Sequence, residues 1–278
     1  MAQRQTDRTR ATADDDTRGI VHPAAGFEHF TLTRHEPSDD LRWAVDRFWI
    51  VRWDLPDGES FDQRIVPHPA VHVVCNAGQA DLEAISPDDF ERRLEGRGRV
   101  LGIKFRPAGF RPFLGRPVST IAGRRFPAAE VLGSGVDDLA RRLAAADDLD
   151  ATTGAVEAFL RSLDVGPLPV TPAVNTIVDR IVADRSITRV DDLARRLSMS
   201  ARSLQRLFAD HVGLGPKWVI NRSRIHEAAE VAAGATDVDW AALAAELGYS
   251  DQSHLVREFT AAVGTPPDRY ARGSAPDS

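Results

Sequence analysis

The stretch Leu193-Ala-Arg-Arg-Leu-Ser-Met-Ser-Ala-Arg-Ser-Leu-Gln-Arg-Leu-Phe208 returns, altered, as Leu243-Ala-Ala-Glu-Leu-Gly-Tyr-Ser-Asp-Gln-Ser-His-Leu-Val-Arg-Glu-Phe259. Leu193, Leu197, Met199 and Ser200 recur fifty positions later as Leu243, Leu247, Tyr249 and Ser250. Leu204, Arg206, Phe208, Val212, Gly213 and Pro216 recur after fifty-one, as Leu255, Arg257, Phe259, Val263, Gly264 and Pro267. One residue inserted after Ser250 accounts for the change of offset, so ten matched positions need a single indel. A repeat of this kind marks a duplicated structural unit. In each copy a short helix ends near Leu197 or Leu247. Ser200, or the Ser250-Asp251 pair, then caps a second helix that a glycine and a proline close. The unit is a helix–turn–helix, used twice.

Such a unit lays its second helix in the major groove, with the N-terminal residues at the base edges. Leu204 and Phe208 lie four apart and face inward, which turns Arg202, Gln205 and Arg206 outward. In the second copy Leu255 and Phe259 face inward, turning Gln252, Ser253, Val256 and Arg257 outward. His254 falls between the faces, in reach of a phosphate or of its own helix end. Arginine can bond guanine O6 and N7, and glutamine can pair with adenine N6 and N7. An amphipathic helix from Pro216 to about Ala233, marked by Trp218, Ile225 and Ala229, joins the units. Its length of about 27 Å is somewhat short of the ~34 Å turn of DNA, and the flanking helices make up the difference. Similar helix packing also serves protein-interaction modules, so charge is the next test.

The chain has 278 residues, 42% hydrophobic, 27% charged and 7% aromatic, a globular composition with room for two domains. Lys and Arg number 35 against 41 Asp and Glu, a formal net charge of −6, which taken alone argues against nucleic acid. The average hides a stripe. Residues 170–278 hold 13 basic and 14 acidic side chains. Within them, Arg195, Arg196, Arg202, Arg206, Lys217, Arg222 and Arg224 face only Asp210 between positions 195 and 224, a local +6. That density suits phosphates, where each neutralised charge releases counterions. Arg195, Arg196, Lys217, Arg222, Arg224 and His254 are therefore the expected backbone contacts.

Residues 1–19, mixed Arg and Asp with almost nothing apolar, read as a disordered tail. From about 20 to 135 the apolar pattern shifts toward period two, with strand-like runs at Phe27–Leu32, Trp43–Trp53, Arg64–Val74 and Arg99–Phe105 separated by turn formers. Trp43, Val45, Trp49, Val51 and Trp53 share one parity, and Ala44, Phe48 and Ile50 share the other. A small, mostly antiparallel β domain is expected. Residues 136–163 return to helical spacing, and 164–171, rich in Pro and Gly, read as the linker. Beyond it Thr171-Pro172 opens a helix and Thr188-Arg-Val-Asp191 resembles a capping box. The expected fold is α+β with a helical domain at 172–272 and a short tail at 273–278. The single Cys75 rules out a disulfide framework and a multi-Cys zinc cluster, and reads as a small buried strand residue. No run approaches the ~18 apolar residues of a membrane helix, so no membrane partner and a cytoplasmic location are expected.

The motif Leu193-Ala-x-x-Leu-x-Met-Ser-x-x-Ser-Leu-Gln-Arg-Leu-Phe208, with Gly248-Tyr-Ser-Asp-Gln-Ser-His-Leu-Val-Arg-Glu-Phe259 and Gly264-Thr-Pro-Pro-Asp-Arg-Tyr270, resembles the AraC/XylS family of bacterial transcription regulators. The resemblance covers about residues 172–272. It implies a seven-helix domain with two readers joined by a long helix. It also implies DNA contacts for Arg202, Gln205, Arg206, Gln252, Ser253 and Arg257, and RNA polymerase as a further contact. Two departures stand out: the position of Arg202 varies in the family, and Trp240-Ala-Ala-Leu-Ala replaces an Ile-Ala-x-x-Ala-like run. The stretches Ile65–Val74 and Gly102–Phe110 are similar to a β-rich module fused to such regulators, which implies effector binding or homodimerisation through a cupin-like barrel.

Three readings of the N-terminal half follow. In the first, Trp43, Trp49 and Trp53, with His68 and His72, line a pocket for a small-molecule effector. In the second, His68 and His72, four apart on one strand face, serve a metal-dependent cupin-type enzyme. That reading lacks a third ligand, so neither metal nor cofactor is expected. In the third, the domain binds no ligand and only mediates oligomer contacts. Arg106-Pro-Ala-Gly-Phe110 reads as a structural turn rather than an anion cradle.

Overall fold

The computed structural model describes residues 17–87, 90–146, 149–234 and 238–274; most of the expected tails, 1–16 and 275–278, lie outside them. The strands are β1 (Phe30–His35), β2 (Val45–Asp54), β3 (Ser60–Ile65), β4 (His72–Asn76), β5 (Gln79–Glu83), β6 (Phe90–Glu95), β7 (Arg97–Phe105) and β8 (Arg125–Pro127). Six form an antiparallel sheet in the order β1-β2-β7-β4-β5-β8, and β3 pairs with β6 in a second sheet. Phe30, Leu32, Trp49, Val51 and Trp53 of the large sheet pack with Phe61 and Leu94 of the small one. The β domain is an open pair of sheets rather than a closed barrel.

Several sequence expectations shift for local reasons. Pro67 and Pro69 cannot donate to a ladder, so the run expected over Arg64–Val74 divides into β3 and β4. Phe27–Leu32 divides too, its first half entering helix α1 (Pro23–His29) behind a helix-starting proline. The shared parity of Val45 and Trp49 fails because the β2–β7 register shifts between Val45 and Arg47. This irregularity sends Val45, Phe48 and Ile50 to the same core. Trp49 then lies across Gly102 and Trp53 across Gly98, their cross-strand partners. A Cβ on either glycine would fall 2.0 Å or less from an indole carbon.

Helix α2 (Arg111–Leu114) lies between β7 and β8, and α3 (Ala129–Leu132), α4 (Gly135–Ala145) and α5 (Leu149–Ser162) follow β8. Arg99 of β7 closes α4 by donating to the carbonyls of Leu143 and Ala146. The remaining helices are α6 (Thr171–Ala183), α7 (Val190–Arg196), α8 (Ala201–His211), α9 (Pro216–Gly234), α10 (Trp240–Glu246), α11 (Gln252–Val263) and α12 (Pro267–Ser274). Among the described residues, seven helices make up the C-terminal region. Residues 273 and 274, expected in the tail, belong to α12. Thr188 does not cap α7, which starts from Arg189 without a side-chain cap. Its side chain instead fills the space beside Gly248, where a Cβ would come within 2.5 Å of the threonine methyl.

The core does not stop at the expected linker. One continuous apolar cluster runs from Phe48, Ile103 and Phe105 through Leu139 and Val156 to Val174, Leu204, Phe208 and Val219. Asn175, 4% exposed, is the polar member of this junction. Its Oδ1 accepts from the Ala108 N–H at 2.9 Å and its Nδ2 donates to the Trp43 carbonyl at 3.2 Å. Arg106–Asp179 and Arg111–Asp210 (3.0 Å) add ion pairs beside it.

A second cluster joins Val21 and Val66 to Ile225, Leu243, Leu255, Phe259 and Tyr270. Thr17–Gly19, expected in the disordered tail, is packed here. Arg18 pairs with Glu227 (3.7 Å) and Glu230 (3.1 Å) on α9, and the Gly19 carbonyl accepts from Val66 N–H. His68 stacks on His226 of α9 at 4.5 Å, and each Nε2 bonds a backbone carbonyl, of Arg18 (2.8 Å) and Pro67 (3.2 Å) respectively. Since a carbonyl can only accept, both rings carry their proton on Nε2. Burial, then Lys104 and His226, holds His68 well below the usual histidine range. Burial and Lys104 bring His72 to about 3, and burial with Arg18 brings His226 to about 3.

These contacts set three expectations. Below about pH 6.5 the unfolded chain protonates His68, His72 and His226, while the folded chain resists until far lower pH. Stability is then complete above pH 6.5 and drains as pH falls from there toward 3. Urea midpoints at successive pH values report this, and His226→Phe, which keeps the stack, flattens the decline; an unchanged slope would exclude His226 from it. Asn175→Ala leaves the Ala108 N–H unpaired and costs about 1–3 kcal/mol by the same assay, with the m-value unchanged. Gly248 sits at φ +70° against Thr188, so Gly248→Ala lowers stability by at least ~1 kcal/mol. Its counterpart one repeat earlier, Ser198, already tolerates φ +53° and responds far less to Ala.

Candidate nucleic-acid interface

The two second helices, α8 and α11, share one construction. The Ser200 hydroxyl caps α8 by accepting from Ser203 N–H at 3.0 Å, and the Asp251 carboxylate caps α11 by accepting from His254 N–H at 2.8 Å. That bond and the Ser250 hydroxyl hold the Asp251 carboxyl below the usual carboxylate range. Leu204 with Phe208, and Leu255 with Phe259, are fully buried. Opposite them Arg202, Gln205 and Arg206 are exposed on α8, and Gln252, Ser253 and Arg257 are exposed on α11. Each helix therefore presents a polar face at and just beyond its capped end, with the planar donors that base edges accept.

His254 is half-buried. Its ring meets Tyr249 edge-on at 5.2 Å, with Nδ1 3.2 Å from Ser250 Oγ and Nε2 3.3 Å from Glu258. Val256 is also only partly exposed.

The expected phosphate contacts divide. Arg195, Arg196 and Lys217 are exposed; Arg195 pairs with Asp192, and Arg196 with Asp184 at 2.8 Å. Arg222 and Arg224 do not extend the stripe. Arg222 is 7% exposed, lies 4.9 Å from the Trp218 ring centre and donates to the Pro87 carbonyl at 2.7 Å. Arg224 is half-buried 3.6 Å above the Tyr249 ring, and burial pulls its guanidinium below its usual range. The local excess counted along the sequence is therefore smaller on the surface, because helix α9 turns two of its arginines inward.

The residues expected to form one effector pocket do not come together. Trp43 stacks on Phe113 at 5.7 Å in the main core. Trp49 and Trp53 lie on the opposite face of the sheet; Trp49 Nε1 donates to His72 Nδ1 at 3.3 Å and Trp53 Nε1 to the Glu95 carbonyl at 3.1 Å. His68 lies in the loop between β3 and β4, away from the strand face expected to carry it with His72, and faces His226. The register shift in β2 and the Pro67–Pro69 break separate the set. A cavity of about 20 Å³ between the sheet and α4, lined by Ile50, Cys75, Arg99 and Leu143, has none of these five residues in its wall. That volume suits about one water. Cys75 is buried, and its thiol is pushed up to about 12. Among the described residues no three His, Cys, Asp or Glu side chains are grouped to hold a metal, and no helix is long and apolar enough to cross a membrane.

Sequence reasoning missed the polar residues that tie the halves together, namely Asn175, Arg64, His226 and the Arg111–Asp210 pair. Asn175 did leave a signal, as a carboxamide inside the apolar stripe Val174, Ile177, Val178, Ile181.

Comparison with known proteins fits this geometry. Residues 33–127 match a domain of unknown function (DUF6597), and residues 193–273 match a helix-turn-helix domain. The HTH-type transcriptional regulator Rv1931c of Mycobacterium tuberculosis is 36% identical over 87 residues, which is 31% of this chain and 33% of that protein. The matched segment thus spans a third of the relative's length. Among solved structures, ToxT from Vibrio cholerae O395 covers 88% of this chain and 98% of its own at 12% identity and a TM-score of 0.38. Wild-type ToxT from Vibrio cholerae strain SCE256 with an unsaturated fatty acid bound covers 87% and 95% at 10% identity and a TM-score of 0.37. The duplicated unit of residues 193–273 is accordingly a helix-turn-helix domain, carried behind a β-rich domain that matches a family with no assigned role.

Proposed function

We propose that this chain is a sequence-specific DNA-binding transcription regulator whose helices α8 and α11 enter successive major grooves of one duplex. The observation that carries the reading is the pair of capped helices with equivalent exposed faces, Arg202, Gln205 and Arg206 on one and Gln252, Ser253 and Arg257 on the other. Helix α9, of 19 residues, is about 28 Å long and spaces the two readers. Arg195, Arg196 and Lys217 serve as phosphate contacts, which fix register without reading sequence. A small molecule, or pairing of two copies through the N-terminal half, modulates it, and RNA polymerase is the further partner of a promoter-bound regulator. The division into a β-rich domain, a helical segment and a DNA-binding domain is part of the same proposal, with a cytoplasmic location.

Selection from a pool of random 30-base-pair duplexes, followed by footprinting, tests it. A shared motif should emerge, with roughly 15–20 base pairs protected per protomer over two adjacent major grooves. Binding without sequence preference would sink the proposal. Arg206→Ala and Arg257→Ala then sort the contacts. Loss of about 1–3 kcal/mol confined to one base position marks a base contact, whereas a uniform loss with the salt slope reduced by about 1 marks a phosphate contact.

A further inference from the structure

An effector needs space, and the inner face of the large sheet supplies little: it is filled by Phe48, Ile50, Val73, Leu101, Ile103 and Phe105, each 5% exposed or less, and the cavity beside α4 holds about 20 Å³. Among the described residues a larger space, about 320 Å³, opens between α9 and α11. It falls at the lower end of the ~300–1,000 Å³ range of small-molecule sites. Trp218, Asn221, Arg222 and Ile225 line it from α9 at i, i+3, i+4 and i+7, and Glu258, Ala261 and Ala262 line it from α11. Pro87 of the β-rich domain completes the wall.

The chemistry of that wall selects a ligand. Trp218, Ile225, Ala261 and Ala262 form an apolar surface. Arg222 is 7% exposed, with its guanidinium engaged by the Trp218 ring and the Pro87 carbonyl. The Glu258 side chain is 32% exposed, and its Oε1 lies 3.3 Å from His254 Nε2 and 3.5 Å from Asn221 Nδ2. Arg222 is turned into the wall and Arg224, close enough to interact with Glu258, lies outside the lining, so the Glu258 carboxylate is the charged group that a ligand in the cleft can touch.

We propose that this cleft is the effector site of the regulator and takes a small amine with a flat apolar body. The ammonium group pairs with Glu258, while the ring covers Trp218 and the two alanines. The consequence rests on the DNA-binding reading: an occupant touches both the spacer helix and the second reader, so it biases how α11 is presented relative to α8. The cleft itself does not depend on that reading.

Calorimetric and thermal-shift titrations of the full chain, without DNA, test the site with tryptamine and phenethylamine. Indole-3-propionate and 3-phenylpropionate serve as the acidic counterparts. The amines should bind and raise Tm, with the acids at least tenfold weaker. Glu258→Gln should weaken amine binding at least tenfold and abolish the preference. Ala261→Phe, an exposed position, should fill the cleft and abolish binding while the circular-dichroism spectrum is retained. Absence of amine binding, equal binding of the acids, or amine binding insensitive to both substitutions would overturn the site. A final arm measures affinity for a duplex taken from the selection above, with and without amine. A severalfold change supports the effector role, and no change overturns that role. Because the first titrations contain no DNA, failure of the DNA-binding reading and failure of the cleft are read separately.

Discussion

A buried carboxamide sets how helix α6, and with it α8, sits on the rest of the molecule. Asn175 bonds the Ala108 N–H and the Trp43 carbonyl, groups from two loops at the same end of the antiparallel β2–β7 pair. The Ala108 N–H would otherwise be buried without a partner, a cost that strongly favours the arrangement. Helix α6 must therefore lie across this end of the sheet, and α8 and α9 pack on α6 in the same apolar cluster. The first helix–turn–helix unit is thus an outer layer of the β domain's own core.

The second unit, together with the later turns of α9, is held differently. Its contacts with the N-terminal half are few apolar groups, Val21 and Val66, and many polar ones: Arg18 on Glu227 and Glu230, His68 on His226, Arg64 on the Val263 carbonyl, His22 on Tyr270. Apolar burial scales with area and is insensitive to small displacements. Ion pairs, stacked rings and aligned hydrogen bonds depend on geometry and on protonation. The two readers consequently sit on supports of unequal stiffness, one cemented by core and one fastened by side chains that can exchange partners.

The helical half was legible because helices are local. Leucine and phenylalanine four apart fix which side of α8 and α11 is buried, and that fixes the exposed side without any knowledge of neighbours. Caps at Ser200 and Asp251 are likewise written within four residues. The β half was less legible, since a strand's faces depend on its register with distant partners. The irregularity before Arg47 reverses the parity of Val45 relative to Trp49, and no short window reveals it. The same limit explains the stripe: counting charges between 195 and 224 cannot show that Arg222 reaches back to Pro87 or that Arg224 lies on Tyr249. Those partners lie 135 and 25 positions away.

The surviving charge is unequally shared between the proposed readers. Around α8 stand Arg195, Arg196, Arg202, Arg206 and Lys217, all exposed. On α11 itself the exposed cation is Arg257, with Asp251 at the cap and Glu258 one position on; on the flanking α12, Arg269 and Arg272 are exposed and Arg272 pairs with Asp268. Phosphate attraction is non-specific and grows with the number of cations, so on the proposed reading the first unit supplies most of the affinity. The second adds little charge and reads mainly by hydrogen bonding from Gln252, Ser253 and Arg257, which works only at correct spacing. The reader with little electrostatic grip is also the one on the adjustable support. A shift of α11 would then change sequence-specific binding far more than attachment to DNA in general, and that division is useful to a regulator whose overall charge of −6 already discourages indiscriminate binding.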